Sequence, residues 1–298
     1  MTLTVVILAA GQGKRMKSGL PKVLHPLAGR PLLAHVIATA RSLEPAAIQV
    51  VIGHGGDQVR QAVEHEPVSW VWQTERLGTG HAVQQAMPAV PDDHTVLVLY
   101  GDVPLTRRET LAKLLALAGS DRVALLTMRL DEPTGYGRII RDAQGRVLRV
   151  VEQKDATEQE LQVREVNTGI LAAPAGPLKK WLARLKNDNA QGEYYLTDII
   201  AMAVEDGIRV EPLIVPQAIE ALGVNDKVQL AELEAAYRRE MARELMLSGV
   251  TIADPARIDI RGSVTCGTDV FLDVNVVLEG TVRLGNRVRI GPNCVIRD

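Results

Sequence analysis

A glycine-rich turn with basic residues follows the first apolar run of the chain and could bind phosphate groups. The turn reads Leu8-Ala9-Ala10-Gly11-Gln12-Gly13-Lys14-Arg15-Met16, and Lys22 comes soon after it. Small residues let the backbone approach a ligand closely, and successive backbone N–H groups can surround phosphate oxygens. Arg15 and Lys22 add fixed positive charge where a triphosphate would lie. The turn therefore favours a nucleotide over the alternative, an ordinary connection after a strand.

Two familiar phosphate-binding patterns do not fit this turn. A Walker A loop needs Ser or Thr after the Gly-Lys pair, and here Arg15 follows Lys14. A dinucleotide-binding fingerprint needs a third glycine where Met16 stands. These two classes of nucleotide-binding protein are therefore excluded by the residues themselves.

Three polar residues near predicted strand or helix ends each have a functional and a structural interpretation. Asp102 follows an apolar run, where a carboxylate could hold a hard cation against phosphates, but an Asp there is also a common turn or cap residue. Asn225 precedes a predicted helix and is an even stronger candidate for an N-cap. Gln73 ends another run, and its residue type alone favours an exposed polar side chain.

Other catalytic patterns are missing from the sequence. The six histidines form no HExxH motif and no pair of ligands four residues apart, and His25, His54 and His81 are predicted in loops or at turn edges with structural roles. Cys266 and Cys294 form neither a CxxC pair nor a four-ligand zinc site. No Ser/His/Asp set is evident from spacing.

Short apolar runs alternate with helical patterns in the first three quarters of the chain. The strands are predicted at Leu3–Leu8, Ile48–Ile52, Ser69–Trp72, Thr95–Leu99 and Val123–Met128, and the helices at Pro31–Ser42, Asp57–Glu64, Gly80–Met87 and Arg108–Leu117. This alternation predicts an α/β fold with a Rossmann-like, mainly parallel sheet, whose ligands bind at the carboxyl ends of the strands. Arg146–Glu152 and Gly169–Ala173 are less regular and are expected in an inserted or antiparallel part.

The pattern changes twice after this α/β part. A long amphipathic helix is predicted from Asp226 to Leu247, either a packed terminal helix or a connector, with Val228, Leu230, Leu233, Tyr237, Met241 and Leu245 on its apolar side. Small apolar residues then recur at every sixth position, namely Ile258, Val264, Val270, Val276, Val282, Val288 and Cys294. This period is typical of a hexapeptide β-helix. We expect domains at 1–225 and 250–298 joined by a helix at 226–249, and a truncation within the β-helix.

Composition and charge exclude several functional classes. The chain carries 34 Lys and Arg against 36 Asp and Glu, so its formal net charge of −2 provides no general attraction for nucleic acid or an anionic membrane. Hydrophobic residues make up 46% of the chain, which is typical of globular proteins rather than disordered ones. Its apolar runs are too short to span a bilayer. We expect a cytoplasmic protein with no nucleic-acid and no membrane partner.

Several motifs in fixed order identify a resemblance. The stretch LAAGQGKRM…LPKVL resembles the signature of the sugar-nucleotide pyrophosphorylases. The match continues through Gln73…Leu77-Gly78-Thr79-Gly80-His81-Ala82, Tyr100-Gly101-Asp102-Val103-Pro104-Leu105, Pro133-Thr134-Gly135-Tyr136-Gly137-Arg138-Ile139, Glu152-Gln153-Lys154-Asp155-Ala156, Asn167-Thr168-Gly169, Gly192-Glu193-Tyr194-Tyr195-Leu196-Thr197-Asp198 and Gly223-Val224-Asn225. With a β-helix behind them, these motifs resemble the bacterial family of bifunctional N-acetylglucosamine-1-phosphate uridylyltransferases/glucosamine-1-phosphate acetyltransferases.

The resemblance implies a role for each matching residue. It implies that Arg15 and Lys22 are catalytic and that Asp102 and Asn225 hold Mg²⁺. It further implies that Gln73, Gly78 and Thr79 read the uracil base. It implies that Gly137, Glu152 and Asn167 hold the N-acetylhexosamine. The remaining nucleotide- and sugar-binding positions that it implies are Leu8, Ala9, Ala10, Gly11, Tyr100 and Gly101.

The resemblance also implies a reaction. UTP and N-acetylglucosamine 1-phosphate would give UDP-N-acetylglucosamine and pyrophosphate, by in-line attack on the α-phosphorus and without a covalent enzyme intermediate. Acetyl transfer is not expected, because the family's acetyltransferase positions have no match here, and a homotrimer is expected for the full-length protein. The alternatives are a sibling enzyme for another nucleotide or hexose, and a scaffold protein with a degenerate transferase domain; Arg15, Lys22, Asp102 and Asn225 weigh against the scaffold.

Overall fold

A computed structural model describes residues 2–298 of the chain. Its α-helices lie at Leu32–Arg41 (α1), Gly56–Ala62 (α2), Thr79–Ala86 (α3), Arg108–Leu117 (α4), Glu158–Leu161 (α5), Ala175–Arg184 (α6), Asp198–Glu205 (α7) and Lys227–Leu247 (α8). Its first eleven strands lie at Leu3–Leu8 (β1), Pro26–Leu27 (β2), Arg30–Pro31 (β3), Ala47–Ile52 (β4), Ser69–Trp72 (β5), Thr95–Tyr100 (β6), Arg122–Arg129 (β7), Arg138–Arg141 (β8), Val147–Val151 (β9), Glu165–Pro174 (β10) and Arg209–Ile214 (β11). The last six lie at Thr251–Ile252 (β12), Ile258–Cys266 (β13), Phe271–Leu272 (β14), Val276–Leu284 (β15), Arg289–Ile290 (β16) and Val295–Arg297 (β17).

The main sheet has a parallel half and a mixed half. Its order is β11-β7-β10-β6-β1-β4-β5, and the four strands β6, β1, β4 and β5 are all parallel to their neighbours in this half. Strand β10 runs antiparallel to both β6 and β7, and the hairpin β8–β9 attaches to it. The predicted mainly parallel α/β sheet is thus confirmed, and so is the antiparallel part expected from the less regular runs.

The strands of the parallel half are apolar at consecutive positions because both faces of the sheet are covered. On β1, Val5 and Ile7 pack into the core cluster that includes residues of α1 and α4, while Val6 and Leu8 pack into the one that includes residues of α3, α6 and α7. All four side chains are buried. A parallel strand that is buried on both sides has no polar face, and the sequence shows none.

The last 48 residues form two short parallel sheets, β12-β14-β16 and β13-β15-β17. Ile258 pairs with Val276 and Val277 pairs with Val295, so paired residues in this second sheet are 18 positions apart. This distance is three of the six-residue steps in the sequence. The apolar residues at those steps lie in or against one core cluster, together with Ala242 and Leu245 of α8.

Several elements differ from the sequence-based predictions. Strands β8 and β11 and helices α6 and α7 were not predicted. Helix α8 begins at Lys227, one residue after the predicted start at Asp226, and Val228 is 67% exposed, so it does not belong to the predicted apolar side. Leu233 and Leu245 are buried as predicted.

Candidate active site

A cleft of about 700 Å³ opens at the carboxyl ends of β1, β5 and β6. Leu8 ends β1, Gln73 follows β5, and Tyr100 and Asp102 lie at the end of β6. The backbone N–H of Gly101 donates to Leu8 O at 2.9 Å, which holds the ends of β1 and β6 together. The cleft therefore lies where the topology of an open α/β sheet favours ligands.

The glycine-rich turn forms one wall of this cleft. Gly13 has φ +62°, and a Cβ on it would lie 2.6 Å from Cβ of Lys22. Only glycine allows this backbone conformation at such a short distance from a side chain. Gly13 therefore sets the approach of the turn to Lys22.

Two cationic and two oxygen-bearing side chains meet at one end of the cleft. The ammonium of Lys22 donates to Oδ2 of Asp102, and the same nitrogen lies 3.5 Å from Oδ1 of Asn225. Arg15 Nη2 donates to that Asn225 oxygen at 2.8 Å. The Lys22 and Asp102 side chains are each only 15% exposed, so this ion pair is screened weakly by water. The four residues that the resemblance implies to be catalytic or metal-binding come from three separate parts of the sequence and form one cluster in the structure.

Asn225 is not the N-cap of α8. Asp226 is, because its Oδ1 accepts from the backbone N–H of Gln229 at 2.9 Å. The backbone N–H of Asn225 donates to Oε1 of Gln229 at 2.8 Å, which leaves the Asn225 side chain to face Arg15 and Lys22. The interpretation of Asn225 as the N-cap of this helix was therefore wrong.

Gln73 is buried rather than exposed, with 4% of its surface accessible, so its structural alternative was wrong as well. Its Nε2 donates to the carbonyl oxygen of Gly78 at 3.1 Å and lies 3.0 Å from Nδ1 of His81. His81 lies in the first turn of α3, within the predicted helix at Gly80–Met87. Gln73, Gly78 and Thr79 all line the cleft.

The Gly78–Thr79 turn is held by a segment more than a hundred residues later in the chain. The backbone N–H of Tyr194 donates to Leu77 O at 2.7 Å, and its carbonyl oxygen accepts from the N–H of Gly80 at 2.8 Å. The N–H of Leu196 donates to Oγ1 of Thr79 at 3.1 Å. Gly78 has φ +111°, and a Cβ there would lie 2.6 Å from Tyr194 O. The turn is therefore fixed by tertiary hydrogen bonds and not by local sequence.

Gly137, Glu152 and Asn167 lie together on the mixed half of the sheet. Asn167 on β10 donates its backbone N–H to Gly137 O at 2.8 Å. A Cβ on Gly137 would lie 3.4 Å from Oε1 of Glu152, which itself accepts from Thr197 Oγ1 at 2.9 Å. Oδ1 of Asn167 accepts a hydrogen bond from the backbone N–H of Gly169 at 3.0 Å. The three residues are thus neighbours in the fold.

Tyr100 connects this group with the cleft. Its ring packs on Gly169, where a Cβ would lie 2.5 Å from the ring, and its side chain hydrogen-bonds to Thr79. Burial, followed by the charges of Glu152 and Asp102, raises the pKa of its phenol. Tyr100 therefore lies between the Gly78–Thr79 turn and the Glu152 carboxylate and stays uncharged at neutral pH.

The two ends of the site carry opposite charges. Lys14, Lys22 and Arg76 line the cleft, and Arg15 lies beside them. At the other end, burial raises the pKa of Glu152, and the neighbouring carboxylates of Asp198, Asp155 and Glu193 raise it further. The same physical effect, burial first and then Asp155, raises the pKa of Asp198.

Most of the predicted site residues line the cleft, namely Leu8, Ala9, Ala10, Gly11, Lys22, Gln73, Gly78, Thr79, Tyr100 and Asp102. Gly101 instead packs against Val23, Ala9 and Leu33, where it leaves no room for a side chain. Sequence reasoning missed Arg76 and Glu193 as lining residues. It also missed Thr197 as a partner of Glu152 and Gln85 as a partner of His81. Glu193 and Thr197 lie inside one of the recognised motifs, and Arg76 and Gln85 lie within a few residues of another, which is the signal that could have found them.

Among the described residues, no helix combines the length and apolar character that crossing a membrane requires.

Residues 5–167 match the family described as MobA-like NTP transferase domain. The chain is 60% identical over 299 residues to the bifunctional protein GlmU of Marinobacter nauticus and 59% identical over 296 residues to that of Ralstonia nicotianae. Each alignment covers 99% of this chain, which spans 65% of the length of either relative. The resemblance to the bifunctional family is thereby confirmed.

The fold is similar to that of a solved nucleotidyl transferase from Methanothermobacter thermautotroptrophicus. The two structures superpose with a TM-score of 0.59, covering 80% of this chain and 99% of the other. Because the sequences are only 21% identical, this likeness concerns the architecture and not the substrate.

Proposed function

The chain belongs to the family of MobA-like NTP transferase domains, and we propose that it transfers a uridylyl group from UTP to N-acetylglucosamine 1-phosphate. The products would be UDP-N-acetylglucosamine and pyrophosphate. The observation that carries the proposal is the meeting of Arg15, Lys22, Asp102 and Asn225 at one end of a cleft that Gln73 also lines. The relatives' printed names and the extent of the match support it further.

The proposed reaction needs no base and no covalent enzyme intermediate. A phosphate oxygen of the sugar 1-phosphate, already ionised at neutral pH, forms the new bond to the α-phosphorus of UTP. The bond between that phosphorus and the bridging oxygen breaks, and its electron pair leaves with pyrophosphate. Positioning and charge stabilisation supply the rate in such transfers.

The chain's cations would act at the phosphates. The N–H groups of the turn from Ala10 to Gly13 can donate to phosphate oxygens, since small residues leave them accessible. Lys22, at the partly buried end of the cleft, would offset charge that develops around the α-phosphorus. Arg15, a planar multiple donor, would hold the leaving pyrophosphate.

Asp102 and Asn225 are the residues that would hold a divalent cation, which we propose to be Mg²⁺. Their donor set fits, because Oδ2 of Asp102 and Oδ1 of Asn225 converge on one cationic group, the Lys22 ammonium. Mg²⁺ binds through one or two protein oxygens and completes its shell with phosphate and water. Residues 2–298 contain no cluster of three or more His, Cys, Asp or Glu that could hold a metal, so the other ligands would come from the substrates. When bound, the ion would neutralise phosphate charge.

The charge pattern would orient the sugar phosphate. Glu152, Asp155, Glu193 and Asp198 form an acidic group that repels a phosphate but can accept hydrogen bonds from sugar hydroxyls. The backbone of Gly137 and the amide of Asn167 lie beside Glu152 and suit the acetamido group. The sugar would therefore lie at the acidic end with its phosphate directed toward Lys22.

The test is pyrophosphate release with Mg²⁺, N-acetylglucosamine 1-phosphate and each of UTP, ATP, CTP, GTP and dTTP. Release with UTP alone, lost with EDTA or without the sugar phosphate, supports the proposal. Release with another nucleotide assigns the protein to a sibling enzyme. A folded sample without release with any nucleotide contradicts enzymatic function and favours a scaffold.

The remaining parts of the account are also proposals. The 18-residue spacing of β13 and β15 supports a left-handed parallel β-helix at 250–298, following a transferase domain at 1–225 and a connecting helix at 226–249. A homotrimer and a cytoplasmic location rest on the resemblance. The proposal for this chain is confined to uridylyl transfer.

A further inference from the structure

A chain of three side chains runs from the cleft into helix α3. Gln73 Nε2 lies 3.0 Å from Nδ1 of His81, and Nε2 of His81 lies 3.1 Å from the amide of Gln85. His81 and Gln85 are four residues apart on α3, so they share one face of the helix. Neither His81 nor Gln85 lines the cleft itself.

The carbonyl oxygen of Gly78 fixes the direction of the Gln73 amide. The Gln73 atom that lies 3.1 Å from this oxygen must be the NH₂ group, because the amide oxygen has no hydrogen to donate to a carbonyl. The second hydrogen of the same NH₂ group is then available to His81, 3.0 Å away. Both hydrogens of Gln73 are thus used within the protein.

The direction of Gln73 in turn fixes His81 and Gln85. Nδ1 of His81 accepts from Gln73, so a neutral His81 carries its hydrogen on Nε2 and donates there. The Gln85 amide atom that lies 3.1 Å from Nε2 of His81 is assigned as nitrogen. Because Nε2 donates, this atom must be the amide oxygen, and the Gln85 amide is turned by 180°. Each donor in the chain then faces an acceptor.

This arrangement leaves one group of Gln73 free. Its Oε1 has no hydrogen-bond partner among residues 2–298, and neither has the backbone N–H of Gly78. Oε1 of Gln73 and the N–H of Gly78 therefore offer a ligand one acceptor and one donor at the wall of the cleft. Uracil presents the complement, a donor at N3–H and an acceptor at O4, whereas cytosine presents an acceptor at N3 and a donor at N4.

We propose that His81 and Gln85 are positioning residues that hold the Gln73 amide with its oxygen toward the base and thereby set selectivity for UTP over CTP. The inference rests on the proposed function, since it concerns the base of the same nucleotide. Without His81, only the contact with Gly78 O opposes a 180° turn of the Gln73 amide, which would present NH₂ to the N3 acceptor of cytosine. Thymine has the same N3–H and O4 edge as uracil, so the arrangement does not distinguish UTP from dTTP.

The test compares nucleotide selectivity in His81→Leu and the wild type. We expect the ratio of kcat/KM for UTP to that for CTP to fall about tenfold or more, the scale of a lost or mismatched hydrogen bond. The ratio for UTP to dTTP should stay unchanged, which general damage to the cleft would not produce. His81→Asn, whose Oδ1 can replace Nδ1 as an acceptor, should restore most of the UTP:CTP ratio. An unchanged UTP:CTP ratio in His81→Leu, or an equal fall in both ratios, overturns the proposal.

Two further variants cover a folding failure and a nonspecific effect. Gln85→Leu removes only the far end of the chain, and we expect a smaller fall in the UTP:CTP ratio, about threefold; no fall would contradict the proposal even if His81→Leu does not fold. Gln84→Leu is the matched control, since Gln84 donates to Leu182 O at 2.5 Å, away from Gln73. Its UTP:CTP and UTP:dTTP ratios should equal those of the wild type.

Equilibrium binding of UTP, dTTP and CTP to the same variants separates this proposal from the proposed function. A wild-type chain that prefers UTP to CTP in binding but forms no UDP-N-acetylglucosamine would contradict the function alone. In that case the binding ratios of the His81 variants still decide the positioning role. Equal binding of UTP and CTP by the wild type would overturn the positioning role itself.

Discussion

The two halves of the proposed site, the cleft and the group around Glu152, are built in different ways. The phosphate half comes largely from one stretch, the turn after β1 with Lys22, and its close approach depends on Gly13. The sugar half is assembled from residues on or beside β8, β9 and β10, with Thr197 from a later segment holding Glu152. The first half is cationic and the second is acidic.

This difference assigns different tasks to the halves. A wall formed by Lys22, Arg15 and backbone N–H groups would act on phosphate charge, which changes most during the proposed reaction. An acidic group of neighbouring carboxylates would bind neutral hydroxyls, whose charge does not change. Substitutions in the phosphate half should therefore lower kcat, whereas those in the sugar half should raise the KM of the sugar phosphate.

The largest effect is expected for Asp102→Ala. The variant loses the carboxylate that pairs with Lys22, and kcat should fall about a hundred- to a thousandfold, the scale for removing one charge-stabilising group. The measurement is steady-state pyrophosphate release at saturating Mg²⁺, with circular dichroism to verify the fold. Asp131→Ala is the control, because that carboxylate is 97% exposed and pairs only with Arg164. Near-normal kcat in Asp102→Ala would contradict a role of the Asp102 carboxylate in the reaction.

Glu152→Gln should affect the other half. The amide keeps an acceptor for Thr197 but loses the charge, so the KM for N-acetylglucosamine 1-phosphate should rise about tenfold, as expected for weakening a charged hydrogen bond. The KM for UTP should change less than twofold. Initial rates over a grid of both substrates measure the two values. A larger change for UTP than for the sugar phosphate would contradict the division of the cleft.

Gly13→Ala tests how the phosphate half is folded. Its φ of +62° and the 2.6 Å approach to Lys22 Cβ predict a loss of about 1–2 kcal/mol in the free energy of unfolding. Gly11→Ala is the matched control for stability, since a Cβ there meets no atom within 4 Å. Urea unfolding of both variants measures the difference. Equal stability of the two variants would contradict the role of Gly13.

The smallest expected effect is a pH dependence of stability at Glu152. Burial raises the pKa of Glu152 above its ordinary value of 4.5, so the folded chain holds this proton more tightly than the unfolded chain. The resulting stability is complete below pH 4.5 and is lost as the pH rises through the higher folded-state pKa. Glu152→Gln should therefore gain stability relative to the wild type between pH 4.5 and neutrality, and show little difference below pH 4.5.

Glu160→Gln is the control of opposite sign. Hydrogen bonds from the Thr157 backbone and side chain lower the pKa of Glu160, so its stabilising effect is present above pH 4.5 and is lost as the pH falls. This variant should be less stable than the wild type at neutral pH and approach it in acid. Chemical unfolding across the pH range measures both differences. The same sign for both variants would contradict the assigned causes.

The sequence predicted the parallel half of the sheet because its strands are apolar at most positions. Leu3–Leu8 and Ser69–Trp72 have the predicted bounds, and the turn after β1 was recognised from its small and basic residues. The clustering of Asp102 with Asn225 was implied only by resemblance, since 123 residues separate them and no local pattern relates them.

The sugar half was less predictable for a physical reason. Strand β8 is short, and its place in the sheet depends on the pairing of Arg138 with Val166 on β10, which is a long-range contact. The relation of His81 to Gln73 also depends on tertiary geometry, because the first turn of α3, which begins at Thr79, brings the imidazole back to the strand end. Such contacts leave no periodic pattern in the sequence.

The most direct test of the account is isotope exchange between labelled pyrophosphate and UTP. If both substrates must occupy the two halves together for in-line attack, label should enter UTP only when UDP-N-acetylglucosamine or the sugar phosphate is present. We predict no exchange with UTP and Mg²⁺ alone. Exchange under that condition would reveal a covalent uridylyl-enzyme and contradict a single transfer across the cleft.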